Sequence, residues 1–152
     1  LPNTAVPRRF LFLCTYNSAR SQLAEGLLRA MVPASVTVRS AGSSPTAVHP
    51  LAIRAAQTLN IDIRQQTSTH LDQFVDQEFD YVITVCDQVR EICPTFPATT
   101  EQIHWSLPDP AAVVGSEEVR YQAFVETARN LQVRLQFFLQ MIVASPNNKT
   151  TI

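Results

Sequence analysis

The chain has 152 residues, of which 45% are hydrophobic, and a formal net charge of −1. This length suits a single domain with one substantial core, and the near-neutral charge argues against a nucleic-acid binder, which normally carries a basic excess. No apolar run approaches the roughly 18 residues that a membrane-spanning helix needs, so we expect a protein that binds neither nucleic acid nor membrane.

The first predicted strand and helix enclose a polar turn. An apolar run with two aromatic residues at 9–13 is typical of a buried strand, and 21–31 carries apolar residues at helical spacing. The turn begins with Cys14 and ends with Arg20. Loop N–H groups, the helix N-terminus and a guanidinium all favour an anion, and they also favour the thiolate form of the cysteine. We therefore predict an oxyanion-binding loop with a nucleophile at its base, formed by Thr15, Tyr16, Asn17, Ser18, Ala19, Arg20 and Ser21.

The later segments alternate between strand and helix patterns. Predicted strands cover 36–40, 81–85 and 103–105, and predicted helices cover 50–59, a shorter stretch around 71–75, and 117–140 with Ser116 as its cap. Such alternation implies right-handed βαβ units. We predict an α/β fold with a central four-stranded parallel sheet flanked by helices on both faces. Its expected parts are an N-terminal lead at 1–8, a single catalytic domain at 9–142 and a flexible tail at 143–152. Whether the lead was cut from a longer chain stays open.

Two further candidate residues follow predicted strands. Cys14 and Cys86 each stand at a strand end, and ligands of parallel sheets bind at the carboxyl ends of the strands, so one site is expected to hold both sulfurs. Asp109 precedes a proline in a stiff loop after the last strand. A carboxyl group beside a bound oxyanion favours its protonated form, which suits proton donation to a leaving oxygen. Alone, an Asp-Pro pair would more often be a turn, and the cysteine loop reverses that balance.

The cysteine pair Cys86 and Cys93 is not explained by phosphoryl transfer, which needs one thiol; buried packing residues are the alternative interpretation. Seven residues of helix rise about 10 Å, whereas a disulfide needs Cα atoms within roughly 7 Å. A bond between this pair would thus unwind the segment and work as a switch. Since three cysteines cannot all pair, a reducing, cytoplasmic compartment is expected.

Several motifs together resemble one branch of a known family. Cys, five residues, Arg and Ser, between a strand and a helix, resemble the phosphate-binding loop of the low-molecular-weight tyrosine phosphatases and of the arsenate reductases that share their fold. Segments 14–26, 40–42 and 66–68, Cys86 with 93–94, and 104–105 before 109–111 look like the thioredoxin-coupled arsenate reductases. The similarity covers roughly 9–140, and the cysteine pair separates this branch from the phosphatases.

That resemblance implies a thiol relay that acts on arsenate, with phosphate or sulfate as mimics. Cys14 attacks arsenate held by the loop and Arg20, while Asp109 protonates the departing oxygen. Cys86 then attacks Cys14 and arsenite leaves. Cys93 moves the disulfide to Cys86–Cys93, which thioredoxin reduces. Reduced thioredoxin would supply the electrons, with no bound redox cofactor.

The chain departs from the family pattern in the loop and at an ion site. Tyr16 stands where relatives often have Gly and is expected at the pocket mouth, and Ala19 replaces a Cys that the relay does not require. Some relatives hold potassium with Asn, Glu, Ser and Asp. This chain matches three of them with Asn17, Glu25 and Ser40 but has Thr69 in place of the Asp. Potassium therefore remains possible at these residues, but no firm metal site is expected.

Three functions stay open. The first is arsenate reduction, the second a phosphatase with a Cys14 phosphoenzyme and idle distal cysteines, and the third a non-catalytic oxyanion sensor. Nucleophile and acid together count against a sensor, whereas arsenate and phosphate share shape and charge, so side phosphatase activity is expected. A low-molecular-weight thiol with a glutaredoxin-like partner is the alternative reductant. We expect a monomer, with His49, His70 and His104 as structural or surface residues.

Overall fold

The computed structural model describes residues 8–87 and 94–144. Strands and helices alternate along these residues, and no helix among them is long and apolar enough to cross a membrane. The regular elements are β1 (Arg9–Cys14), α1 (Arg20–Met31), β2 (Thr37–Gly42), α2 (Pro50–Gln57), β3 (Tyr81–Thr84), β4 (Glu101–His104) and α3 (Glu117–Ala144), with short 3₁₀ turns at Leu71–Gln73 and Pro110–Ala112.

The strands form one parallel sheet in the order β2-β1-β3-β4. Successive residues of a strand point to opposite faces, and every residue of β3 and 10–14 of β1 are buried, so both faces of the central strands are covered. α1 and α2 both pack against α3. The predicted α/β architecture with a four-stranded parallel sheet is confirmed.

An aromatic cluster holds α3 against the sheet. Phe10 of β1 and Tyr81 of β3 stack with ring centroids 5.3 Å apart. Phe138 of α3 meets both rings edge-on, at 6.1 and 5.2 Å, and meets Trp105 in the same way at 5.7 Å. Edge-to-face pairs of this kind add about 0.5–1.5 kcal/mol each beyond area burial, so the cluster fixes where the long helix lies.

Most predicted boundaries agree with the structure within a few residues. β4 lies at 101–104 rather than 103–105, and the helix expected around 71–75 is a single 3₁₀ turn, which His70 begins by accepting a hydrogen bond from Asp72 N. α3 continues to residue 144, beyond the predicted end at 140. Ser116 is its cap, as predicted, and accepts a hydrogen bond from Val119 N.

His49 caps α2 and packs against α3. Its Nδ1 accepts a hydrogen bond from Leu51 N at 3.0 Å, and its ring lies 4.6 Å from that of Phe124. Burial lowers the pKa of His49 below its ordinary 6.5, and the positive charge of Arg120 lowers it further, against the opposite effect of Asp109. An unprotonated Nδ1 is also what the cap requires, so the fold favours the neutral ring.

We expect acid to destabilise the fold through His49. Because the folded state lowers the pKa of this group below 6.5, its stabilising contribution is complete above that pH and is lost as the pH falls through the folded-state value. In His49→Asn an amide still caps the helix but does not titrate. The free energy of unfolding, measured in urea between about pH 7 and pH 5, should therefore fall less in the variant. Equal decreases in both proteins would contradict this role.

Candidate active site

The predicted oxyanion loop joins the end of β1 to the start of α1. Every carbonyl from residue 15 to 19 accepts a hydrogen bond from a group on the outer side of the turn or from α1. In a trans peptide the following N–H points the opposite way, so the N–H groups face the interior, as in an anion-binding nest. The carbonyl partners are Ser44 N for Thr15, Thr46 N and Ser68 Oγ for Tyr16, Gln22 Nε2 and Ser68 Oγ for Asn17, His49 N for Ser18, and Leu23 N for Ala19.

Asn17 lies at the centre of this loop and is fully buried. Its φ of 48° is in the left-handed region, which Asn tolerates better than most residues. Its Oδ1 accepts from Thr69 N at 2.8 Å, and its Nδ2 donates to Ser21 Oγ at 2.7 Å and to Ser40 Oγ at 2.9 Å. The Ser21 hydroxyl in turn lies 2.9 Å from Cys14 Sγ, within hydrogen-bonding distance. Asn17 is thus connected to the cysteine through a single serine.

The residues considered for potassium bind one another instead. The Ser40 hydroxyl donates to one carboxylate oxygen of Glu25, and the Arg29 guanidinium donates to the other. Asn17 turns its amino group, not its oxygen, toward Ser40. The charge that a cation would supply is thus present in Arg29, and the donor set does not fit a potassium ion. Among residues 8–87 and 94–144, no group of three or more His, Cys, Asp or Glu side chains is arranged to hold a metal.

Arg20 and Asp109 reach the pocket from distant parts of the chain. Arg20 is the first residue of α1, and its Nη1 donates to the Leu107 carbonyl at 2.8 Å, which fixes the direction of the guanidinium. Its Nη2 lies 3.9 Å from Asp109 Oδ2. The other carboxylate oxygen of Asp109 accepts from Ala111 N at 2.9 Å and so begins the second 3₁₀ turn. The Asp109 side chain is 38% exposed, which leaves it accessible to a ligand.

These groups line a pocket of about 280 Å³. Its base holds the buried Cys14, and Tyr16, which is 48% exposed, lies along its rim. The predicted nucleophile, cation and acid are therefore brought together. The lining residues are Cys14, Tyr16, Ser18, Ala19, Arg20, Thr46, Asp109 and Ala111.

Cys86 is buried at the end of β3, beside the loop, as predicted. β1 and β3 are neighbours with Leu13 opposite Thr84, so both cysteines leave the same edge of the sheet. The Cys86 sulfur lies 3.2 Å from Thr15 Oγ1, one residue beyond Cys14. Both of these cysteines are free thiols in the structure. Cys93 lies outside the described residues.

Two positioning groups were not anticipated from the sequence. The Leu107 carbonyl that orients Arg20 is a backbone atom, which carries no side-chain signature. The Thr15 hydroxyl was counted in the loop, but its contact with Cys86 depends on the pairing of β1 with β3. His104, expected to be a structural or surface residue, bridges Thr84 and Asp87 beside Cys86.

With this geometry established, the chain can be compared with known proteins. A sequence model of the family described as low molecular weight phosphotyrosine protein phosphatase matches residues 9–147. The chain belongs to this phosphatase family. Within the family, an arsenate reductase from Halalkalibacterium halodurans is 36% identical over 129 residues, which are 85% of this chain and 93% of the relative. An arsenate reductase from Bacillus subtilis is 35% identical over 129 residues, with the same coverage of both chains.

Solved structures of arsenate reductases agree with the fold. An arsenate reductase in its phosphate-binding state superposes with a TM-score of 0.72 at 27% identity and covers 89% of this chain and 98% of its own. A thioredoxin-dependent arsenate reductase from Corynebacterium glutamicum gives a TM-score of 0.71 at 29% identity, over 91% of this chain and 63% of its own. One neighbour with this fold has therefore been solved in a phosphate-binding state.

Replacement of Gly42 by Ala is expected to displace the oxyanion loop. An added Cβ would lie 2.5 Å from Thr15 O, 2.8 Å from Cys14 O and 2.9 Å from Asn17 N. Overpacking of this kind costs about 1–3 kcal/mol of stability, and each donor lost to a bound anion costs about tenfold in affinity. Thermal unfolding and phosphate titration measure both effects. Ser44→Ala, which is exposed and keeps its N–H on Thr15, is the control; unchanged phosphate affinity in Gly42→Ala would contradict the expectation.

Proposed function

We propose that this protein reduces arsenate to arsenite through a relay of Cys14, Cys86 and Cys93, recycled by thioredoxin. The observation that carries the proposal is a second buried thiol, Cys86, beside an oxyanion pocket that already holds a cysteine, an arginine and a carboxyl group. A phosphatase has no use for that second thiol. Relatives named arsenate reductase, aligned over 93% of their length, support the same conclusion.

The first step forms a bond between sulfur and arsenic. The loop N–H groups and Arg20 bind the arsenate oxygens, and the Cys14 sulfur, which lies 2.9 Å from the Ser21 hydroxyl, attacks the arsenic atom. Asp109 gives its proton to the departing oxygen, which leaves as water. Arsenic is still pentavalent at this point, so no electron has yet been transferred.

The second step transfers two electrons. Cys86 attacks the Cys14 sulfur, a disulfide forms, and the pair of electrons of the sulfur–arsenic bond leaves with arsenite. Cys93 next attacks Cys86 and releases the Cys14 thiolate for another turnover. The dithiol of thioredoxin then reduces the Cys86–Cys93 disulfide, so the relay needs no bound redox cofactor.

The setting that we propose follows from this chemistry. A reduced thioredoxin pool is a property of the cytoplasm, which we propose as the location. A single chain supplies the cysteine, the arginine and the carboxyl group of the pocket, so we propose that a monomer suffices. Residues 9–142 carry all of the described groups and are proposed as the catalytic domain.

The relay is tested by coupling arsenate reduction to NADPH oxidation through thioredoxin and thioredoxin reductase. The wild-type protein should consume NADPH only when arsenate is present. Cys14→Ser should abolish this activity and the hydrolysis of an aryl phosphate together. Cys86→Ser and Cys93→Ser should stop NADPH consumption but leave ester hydrolysis, because hydrolysis needs one thiol. Cys93→Ser should also accumulate the Cys14–Cys86 disulfide, detectable by mass spectrometry.

Other outcomes of this assay would separate the alternatives. Normal arsenate turnover by Cys93→Ser would mean that the relay is wrong. Rapid hydrolysis of aryl phosphates without arsenate-dependent NADPH consumption would indicate a phosphatase. Absence of both activities would indicate an oxyanion sensor. Activity restored only by a low-molecular-weight thiol with a glutaredoxin would replace thioredoxin as the reductant.

Asp109→Asn should slow both arsenate reduction and ester hydrolysis by roughly 10²–10⁴-fold, the usual contribution of a general acid. The amide can still accept the hydrogen bond from Ala111 N, so the 3₁₀ turn is retained. A leaving group that needs no proton distinguishes lost acid catalysis from lost structure. The loss should therefore be smaller for p-nitrophenyl phosphate than for phenyl phosphate, and an equal loss with both esters would count against the acid role.

A further inference from the structure

A chain of hydrogen bonds lies beside Cys86 and has no part in oxyanion binding. The His104 Nδ1 is 2.7 Å from Thr84 Oγ1, and its Nε2 is 2.7 Å from Asp87 Oδ1. Each ring nitrogen thus has its own partner, a hydroxyl on one side and a carboxylate on the other. The ring is therefore held in one orientation at the ends of β3 and β4.

Asp87 is the residue that directly follows Cys86. Its side chain is 70% exposed, so water would satisfy the carboxylate if it turned outward, yet the His104 ring and the Ser106 hydroxyl both bind it. These partners belong to β4 and the loop that follows it. The main chain at the second thiol is thus fixed to the sheet one residue away from the sulfur.

The sulfur itself is fixed from the other side. Cys86 Sγ lies 3.2 Å from the Thr15 hydroxyl of the oxyanion loop. The contact with Thr15 and the hydrogen bond between Asp87 and His104 thus constrain Cys86 from two sides. Reactions of this kind need the attacking atom near 3–3.5 Å and in line with the bond that breaks.

We propose that His104 is a positioning residue which, through Asp87, directs the Cys86 sulfur toward the Cys14 sulfur. This inference rests on the proposed arsenate reductase activity and concerns its second step alone. In that step the Cys86–Cys14 bond forms, the Cys14–arsenic bond breaks, and its electron pair leaves on arsenite. Loss of the hydrogen bond between His104 and Asp87 slows formation of the disulfide. It leaves the reaction of Cys14 with the oxyanion intact.

The test measures the two reactions separately in a Cys93→Ser background. His104→Phe keeps a ring and removes both hydrogen bonds, and Asp87→Ala removes the carboxylate that His104 binds. Mixed once with arsenate, each variant should form the Cys14–Cys86 disulfide roughly 10- to 100-fold more slowly than the parent. Their kcat and KM for p-nitrophenyl phosphate should change by less than about twofold, within the usual effect of surface substitutions.

A double variant and a matched control sharpen the result. If His104 acts through Asp87, the double variant should form the disulfide no more slowly than either single variant. His70 is the control, because it also contacts an aspartate, Asp72, and lies next to β2 at the opposite edge of the sheet. His70→Asn keeps the capping acceptor and should leave both reactions unchanged.

Three results would overturn the inference. Disulfide formation at the parental rate in His104→Phe would show that the hydrogen bond between His104 and Asp87 does not position Cys86. Equal slowing of disulfide formation and of ester hydrolysis would mark a structural role only. Absence of the Cys14–Cys86 disulfide in the parent itself would refute the relay, and the inference with it, and differs visibly from a defect confined to the variants.

Discussion

The structure depends on one constraint, namely that the turn from β1 to α1 must point its N–H groups inward. A chain does this only if the carbonyls on the other side of each peptide find partners, because unpaired buried carbonyls are costly. Those partners come from distant segments, including Ser44, Ser68 and His49. Asn17 completes the arrangement, since its side chain binds three groups while its backbone takes a left-handed conformation.

The same network connects the loop to a charge pair beneath it. Asn17 binds Ser40, Ser40 binds Glu25, and Glu25 binds Arg29. A buried carboxylate needs a compensating charge, and the chain supplies it as a side chain of the same helix. The loop is therefore supported by a covalently attached cation, whose presence does not depend on the ion content of the solvent.

The sequence was sufficient for the fold and for the residues at the centre of the pocket. Strand β1 and helix α1 have unmistakable hydrophobic patterns, and the spacing of Cys14 and Arg20 carries its own chemistry. The boundaries of β4 were missed because Glu101 and Gln102 are exposed on an edge strand, where no apolar pattern marks them. The roles of Leu107 and His104 depend on tertiary contacts to Arg20 and Asp87, which no local pattern contains.

The bond from Arg20 to the Leu107 carbonyl spans 87 positions of the chain. Arg20 lies in the first half of the sequence and Leu107 in the second, so both halves are needed to orient the guanidinium. A fragment that ends before residue 107 keeps the cysteine and the arginine of the loop but lacks the carbonyl that sets the direction of the arginine.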